Sequence, residues 1–143
     1  MKPFSLDTVL KYRVQLEKIA KNRLYAAEKK RAEALLQLQQ KETVCKTLIN
    51  DLARLQSQGI DVVEMIRYEE RIDVEKNELD ILRITLAEKE EKVLRERENT
   101  IKRSKDRKVM EKLKEKQNAA WQHYLNKKEA ALLDEIAVIF HQR

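Results

Sequence analysis

Ser57-Gln58-Gly59-Ile60-Asp61 decides the fold of this chain. Gly59 is the only glycine among 143 residues, and Pro3, at the very start, is the only proline. The long segments on either side of the five residues therefore lack the residue types that normally interrupt a helix. A glycine just past a periodic segment is the preferred left-handed residue that stops a helix, because it has no Cβ to clash. Asp61 reads as the next N-cap, with Glu64 three residues on completing a capping-box pattern. Ile60 and Met65 stand where a hydrophobic staple would set the entry angle of the second helix. A stop followed at once by a start predicts two long helices folded back on each other.

Working outward towards the N-terminus, helix one is expected over about Ser5 to Gln56. Ser5 is its expected N-cap, Pro3 lies just outside, and Asp7 in the first turn suits the helix dipole. Val9, Tyr12, Leu16 and Ile19 recur at three- and four-residue steps. From Ala20 the stripe moves over and continues as Leu24, Ala27, Arg31, Ala34, Leu38, Lys41, Cys45, Leu48, Leu52 and Leu55. This alternation of four and three is the heptad pattern of a coiled coil. The displacement near Ala20 reads as a stutter.

Helix two is expected over about Val62 to Phe140, with turn residues 57–61 between. Its seam runs Met65, Tyr68, Ile72, Glu75, Leu79, Leu82, Leu86, Lys89 and Val93. An antiparallel hairpin closing at Gln58-Gly59 sets Leu52 against Met65, Cys45 against Ile72, Leu38 against Leu79 and Leu24 against Val93. It also sets Lys41 against Glu75, so two charged seam residues meet as opposites and help fix the register. The expected fold is all-α, one antiparallel coiled-coil hairpin spanning residues 1–143 as a single domain.

The two helices are unequal. Helix one ends opposite about residue 112, leaving roughly 30 residues, about 45 Å of helix at 1.5 Å per residue. This overhang carries Trp121, Tyr124, Leu125, Leu132, Leu133, Ile136, Val138, Ile139 and Phe140. An apolar surface of that size calls for a partner, either a groove in another protein or a second copy. Before it lies a polar band, Arg95 to Lys116, with ten basic and five acidic residues. Within it Glu96, Thr100, Arg103 and Arg107 continue the seam phase with poor seam chemistry, so this end is expected to fray or bend.

Composition narrows the function. Charged residues make up 39% and aromatics 5%, and the 42% of apolar residues suffices for a seam but not a thick core. The apolar periodicity and the near-absence of Gly and Pro argue against a disordered chain. No signal peptide is expected, and no stretch is apolar enough to cross a membrane. Cys45 cannot form an internal disulfide, fits a reducing compartment, and on the seam acts as a small hydrophobe. The two histidines, His123 and His141, form no metal motif. No paired-Cys or glycine-rich phosphate loop occurs, so neither catalysis nor a cofactor is expected. The net charge of +6 is concentrated in the polar band, but interleaved Glu residues and the lack of stacking aromatics disfavour nucleic acid.

Asp106-Arg107-Lys108-Val109-Met110-Glu111-Lys112-Leu113-Lys114-Glu115-Lys116-Gln117, followed by Leu133-Asp134-Glu135-Ile136-Ala137, resembles the FliJ family of flagellar export proteins. Members share a K-V-L-E-K-L-K-E-K run, here with Met110 for the usual Leu, and a late D-E-I-A. The opening Phe4-x-Leu6-x-x-Val9-Leu10 is also similar, and the resemblance spans the chain.

It implies a cytoplasmic, non-enzymatic part of the flagellar type III export apparatus, peripheral to the inner membrane through protein contacts. In that family the hairpin is similar to the central stalk of rotary ATPases. The implied partners are the hexameric export ATPase FliI, the export-gate protein FlhA and export chaperones. ATPase-binding candidates are Arg103, Lys105, Arg107, Lys108, Lys112, Lys116, Trp121, Tyr124, Ile136 and Phe140. Gate-binding candidates are Arg67, Glu70 and Asp73, nearer the turn. The competing readings are the equivalent stalk of a virulence secretion system, a general coiled-coil scaffold, and a nucleic-acid binder using the basic band.

Overall fold

The computed structural model describes residues 5–142 and consists of two α-helices, α1 (Asp7–Gln58) and α2 (Val62–His141). They pack against each other as an antiparallel helical hairpin, and no strand occurs among the described residues. Pro3 and Phe4, used above for the helix start and the opening motif, lie outside these residues. The break is shorter than the sequence implied. Ser57 and Gln58 remain helical, with the Ser57 hydroxyl donating to the Arg54 carbonyl at 2.7 Å. Among the described residues Gly59 alone takes a positive φ, +92°, and it ends the helix as its lone occurrence predicts. Asp61 occupies the cap position: its carbonyl accepts the first α2 hydrogen bond, from Met65 N–H at 3.0 Å. At the other end Ser5 is not the cap. The first bond of α1 runs from Leu10 N–H to the Leu6 carbonyl, so the helix starts later.

The chain divides into two compact units. The turn unit, Lys21–Asn99, is held by an apolar seam. Beside the turn, Leu48, Leu52 and Ile72 form a cluster against which Ile60, Met65 and Tyr68 pack, so both expected staple residues meet the same core. Next come Leu38, Cys45 and Leu79, with Leu82 and Leu86 against them. Cys45 thus clusters with Leu38 and Leu79, whereas Ile72 clusters with Leu48 and Leu52. Lys41 meets Glu75 at 2.7 Å, the expected charged pair, and also Glu78 at 2.6 Å. Farther along, the buried seam narrows to Ala27, Ala34 and Val93. Arg31 stays exposed although its spacing places it on the seam, because its long polar chain reaches solvent more cheaply than it buries.

The terminal unit comprises the described residues up to Ala20 together with those from Thr100 on. Its buried seam residues are Leu10, Glu17, Ala20 and Met110, with Arg13 half-buried. Three of the four residues in the expected stripe, Val9, Tyr12 and Ile19, are exposed instead. The stutter therefore does not exist: Leu10, Arg13, Glu17 and Ala20 precede Leu24 and Ala27 in unbroken steps of three and four. The reading failed because charged residues hold these seam positions. They are tolerated because each has a partner across the hairpin. Arg107 Nε donates to Glu17 at 2.7 Å, and the Arg13 guanidinium donates to the Asp106 carbonyl at 2.9 Å. A buried carboxylate without such a partner would carry a large desolvation cost.

On α2 the same phase persists through the polar band. Glu96 and Thr100 continue it at half-buried positions, as do Arg103, Arg107, Lys114, Gln117 and Trp121, with Met110 fully buried. Helix is continuous through the band and does not fray there. The last cross-hairpin ion pair links Lys114 to Asp7 at 3.6 Å. Asp7 also accepts from Lys11, and these cations hold its carboxyl below the ordinary range despite some desolvation.

Candidate partner-binding surfaces

Three surfaces are left over once the seam is accounted for. The first is the tail of α2 in the terminal unit, where every described residue after Trp121 is exposed. Leu132, Leu133, Val138, Ile139 and Phe140 each leave more than half of their surface open, Phe140 as much as 69%. Most of the large apolar residues leave the seam phase. The seam phase would pass through Tyr124, Lys128, Ala131, Glu135 and Val138, whereas the large side chains fall at Leu125, Leu132, Ile136 and Ile139. One residue of offset is about 100° around the helix. The tail thus turns its greasy face away from the line along which α1 packs. At its root Trp121 is half-buried and stacks on Tyr124 at 5.4 Å, with the Lys128 ammonium 5.6 Å over the Tyr124 ring.

The second surface is the basic band. Of the six cations singled out from sequence, Lys105, Lys108, Lys112 and Lys116 are exposed and share the outer face of α2. Arg103 is half-buried on the seam. Arg107 is engaged inside the protein: Glu17 and Glu111 each accept from it at 2.7 Å, and those bonds raise its pKa further. Its place in the set passes to the four lysines.

The third surface lies in the turn unit. Arg67, Glu70 and Asp73 are all exposed there. They border an apolar stripe that sequence reading overlooked: Val63, Ile66, Val74, Ile81 and Ile84, each 45–62% exposed. With Glu70 and Asn77 in the gaps, these follow three- and four-residue steps on the side opposite the seam. The signal was available as β-branched residues out of seam phase, but attention to one stripe hid the second. Neither His123 nor His141 is buried, and no group of metal-ligating side chains gathers among the described residues.

The model of one family, described as flagellar FliJ protein, matches residues 1–143. The chain belongs to the FliJ family. It is therefore a component of the flagellar protein-export apparatus. No curated protein and no solved structure matches it. The two motifs that carried the resemblance fall on either side of the end of the paired region: the lysine-rich run ends just past Lys114, and Leu133 to Ala137 lie in the bare tail of this FliJ chain. No helix among its described residues is long and apolar enough to cross a membrane.

Proposed function

We propose that this FliJ-family protein acts as a non-enzymatic stalk of the export ATPase on the cytoplasmic side of the flagellar base. The α2 tail and the lysine face of the terminal unit engage the hexameric ATPase. The outer face of the turn unit, Arg67, Glu70 and Asp73 with the apolar stripe beside them, engages the export-gate protein. Binding both partners couples the ring to the gate. Export chaperones would share these outer faces.

The observation that carries the reading is the tail. A helix that has left its partner yet presents Leu125, Leu132, Ile136 and Ile139 on one face is built to be covered. Acidic loops around such a socket would complement Lys105, Lys108, Lys112 and Lys116. In this reading ATP turnover belongs to the partner.

The test compares stimulation of the partner ATPase by the intact chain and by a chain ending at Trp121, which keeps every cross-hairpin contact described above. Loss of stimulation with the shortened chain supports docking through the tail, and equal stimulation excludes it. A scaffold that merely self-associates through Leu132 to Phe140 gives a stable oligomer by light scattering and no ATPase response. The equivalent stalk of a virulence system would stimulate that system's ATPase in preference to the flagellar one.

A further inference from the structure

A fourth surface lies in the turn unit, where the seam is thinnest. Arg23, Ala26, Ala27 and Lys30 of α1 and Lys92 and Glu96 of α2 line one open groove of about 290 Å³. Its floor is alanine, so no long side chain from the seam fills it. The rim is basic for a positional reason. Arg23 and Lys30 directly precede the seam positions of Leu24 and Arg31, and Lys92 directly precedes Val93. All three therefore flank the seam on the same side, where antiparallel helices usually place opposite charges.

Some cations at and beside the seam are neutralised within the protein. Lys41 has two carboxylates and Arg107 has two. Arg97, on the opposite flank of this segment, has Glu28 at 3.7 Å. Arg23, Lys30 and Lys92 make no ion pair among the described residues. Three like charges gathered over an empty alanine floor lower the stability of the hairpin and gain nothing within it.

We propose that this groove is a docking site for an acidic amphipathic helix of a partner protein, laid along α1 and α2 as a third strand of the coil. Arg23 and Lys30 are seven residues apart, about 10.5 Å along the axis, so they match carboxylates two helical turns apart on the incoming helix. Small aliphatic groups beside those carboxylates rest on Ala26 and Ala27. Glu96 on the rim favours a helix that also carries a lysine. The same residue opposes a phosphate, and the middle of two helices offers no unpaired backbone N–H to cradle one. The site is separate from the tail, the lysine band and the stripe used in the proposed function.

The test uses the full chain and a fluorescent, helix-stabilised peptide with Glu at seven-residue spacing and Ala and Leu between. Anisotropy is read at low and physiological salt. The triple variant Arg23→Gln, Lys30→Gln, Lys92→Gln is expected to weaken binding at least tenfold while its melting temperature holds or rises, because repulsion is relieved. Ala26→Leu, which fills the groove and leaves every charge in place, is expected to weaken binding comparably. The control Lys105→Gln, Lys108→Gln, Lys112→Gln, with the same change in net charge, keeps binding within twofold. Equal losses in the control and the triple variant, or unchanged binding in Ala26→Leu, overturn the proposal. So does displacement of the peptide by millimolar inorganic phosphate at constant ionic strength, which would assign the groove to a simple anion.

Discussion

The turn unit and the terminal unit use the same heptad phase and fill it with opposite chemistry. Around the turn, Leu38, Leu48, Leu52, Ile72 and Leu79 are all buried at 9% exposure or less, and a single charged layer, Lys41 with Glu75 and Glu78, interrupts them. In the terminal unit the buried apolar contact reduces to Leu10 with Met110, and Arg13, Glu17, Arg107 and Lys114 supply the rest. Apolar burial is gained in any orientation and is not screened by salt, whereas ion pairs depend on geometry and are screened. The comparison teaches where each kind of seam belongs. A firm hairpin close to the turn fixes the register, and a charged seam next to the bare tail can open locally at little cost.

The largest test of that contrast is truncation of the apolar layers. Leu48→Ala or Ile72→Ala should cost about 2 kcal/mol, at the lower end of the range for core leucine and isoleucine because a two-helix seam encloses each side chain only partly. Met110→Ala should cost less, about 1 kcal/mol, since only Leu10 clusters with it. Urea unfolding followed by circular dichroism measures both. Equal losses would mean that the two seams are energetically alike and the contrast is one of composition only. Gly59→Ala bears on the same unit. Its Cβ meets nothing within 4 Å, so the cost is the left-handed backbone alone, about 1 kcal/mol. A change near zero would show that the turn relaxes.

A smaller and more local effect is expected from Glu17→Gln. The neutral amide keeps the shape but weakens a charge-assisted bond to Arg107, worth about 1 kcal/mol. Amide hydrogen exchange should speed up at residues 7–20 and 100–114 and stay unchanged at 30–80. Raising NaCl to 1 M in the unaltered protein should reproduce that pattern. Exchange that accelerates evenly along both helices would break the contrast, because it would make the charged seam part of one cooperative whole.

How much of this was legible in the sequence follows from the same chemistry. The hairpin and the Lys41–Glu75 pair could be read because, in the turn unit, seam and hydrophobicity coincide. Around Arg13 and Glu17 they part company. A search for apolar residues moved to Val9, Tyr12 and Ile19, one face over, and produced a stutter the helix does not have. Arg107 shows the reverse: its spacing puts it on the seam and its charge among the partner-binding candidates, and Glu17 takes it up inside the hairpin. The apolar stripe Val63 to Ile84 was there to be read as β-branched residues out of seam phase, whereas the basic groove at Ala26 depends on which side chains flank the packed seam. The tail was legible because nothing in the first helix is long enough to reach it.

The smallest expected effect isolates the charged layer of Lys41 with Glu75 and Glu78. Hydrogen bonds from Lys41 to Glu75 and then Glu78 raise its pKa above the ordinary 10.5. A lysine whose folded pKa exceeds its unfolded one contributes stability that is complete below the unfolded value. That contribution fades as pH rises from 10.5 towards the folded value. Lys41→Met should therefore melt a few degrees below the unaltered protein at pH 7 to 9, with Glu75 and Glu78 left facing each other. Above pH 10.5 the two melting curves should draw together. Because all other lysines titrate in both proteins, the difference between them reports Lys41 alone. A gap that stays constant to pH 12 would mean that the methylene stem of Lys41, packed in the seam, matters rather than its charge. The seam near the turn would then act as apolar even at Lys41, and its contrast with the terminal unit would be sharper.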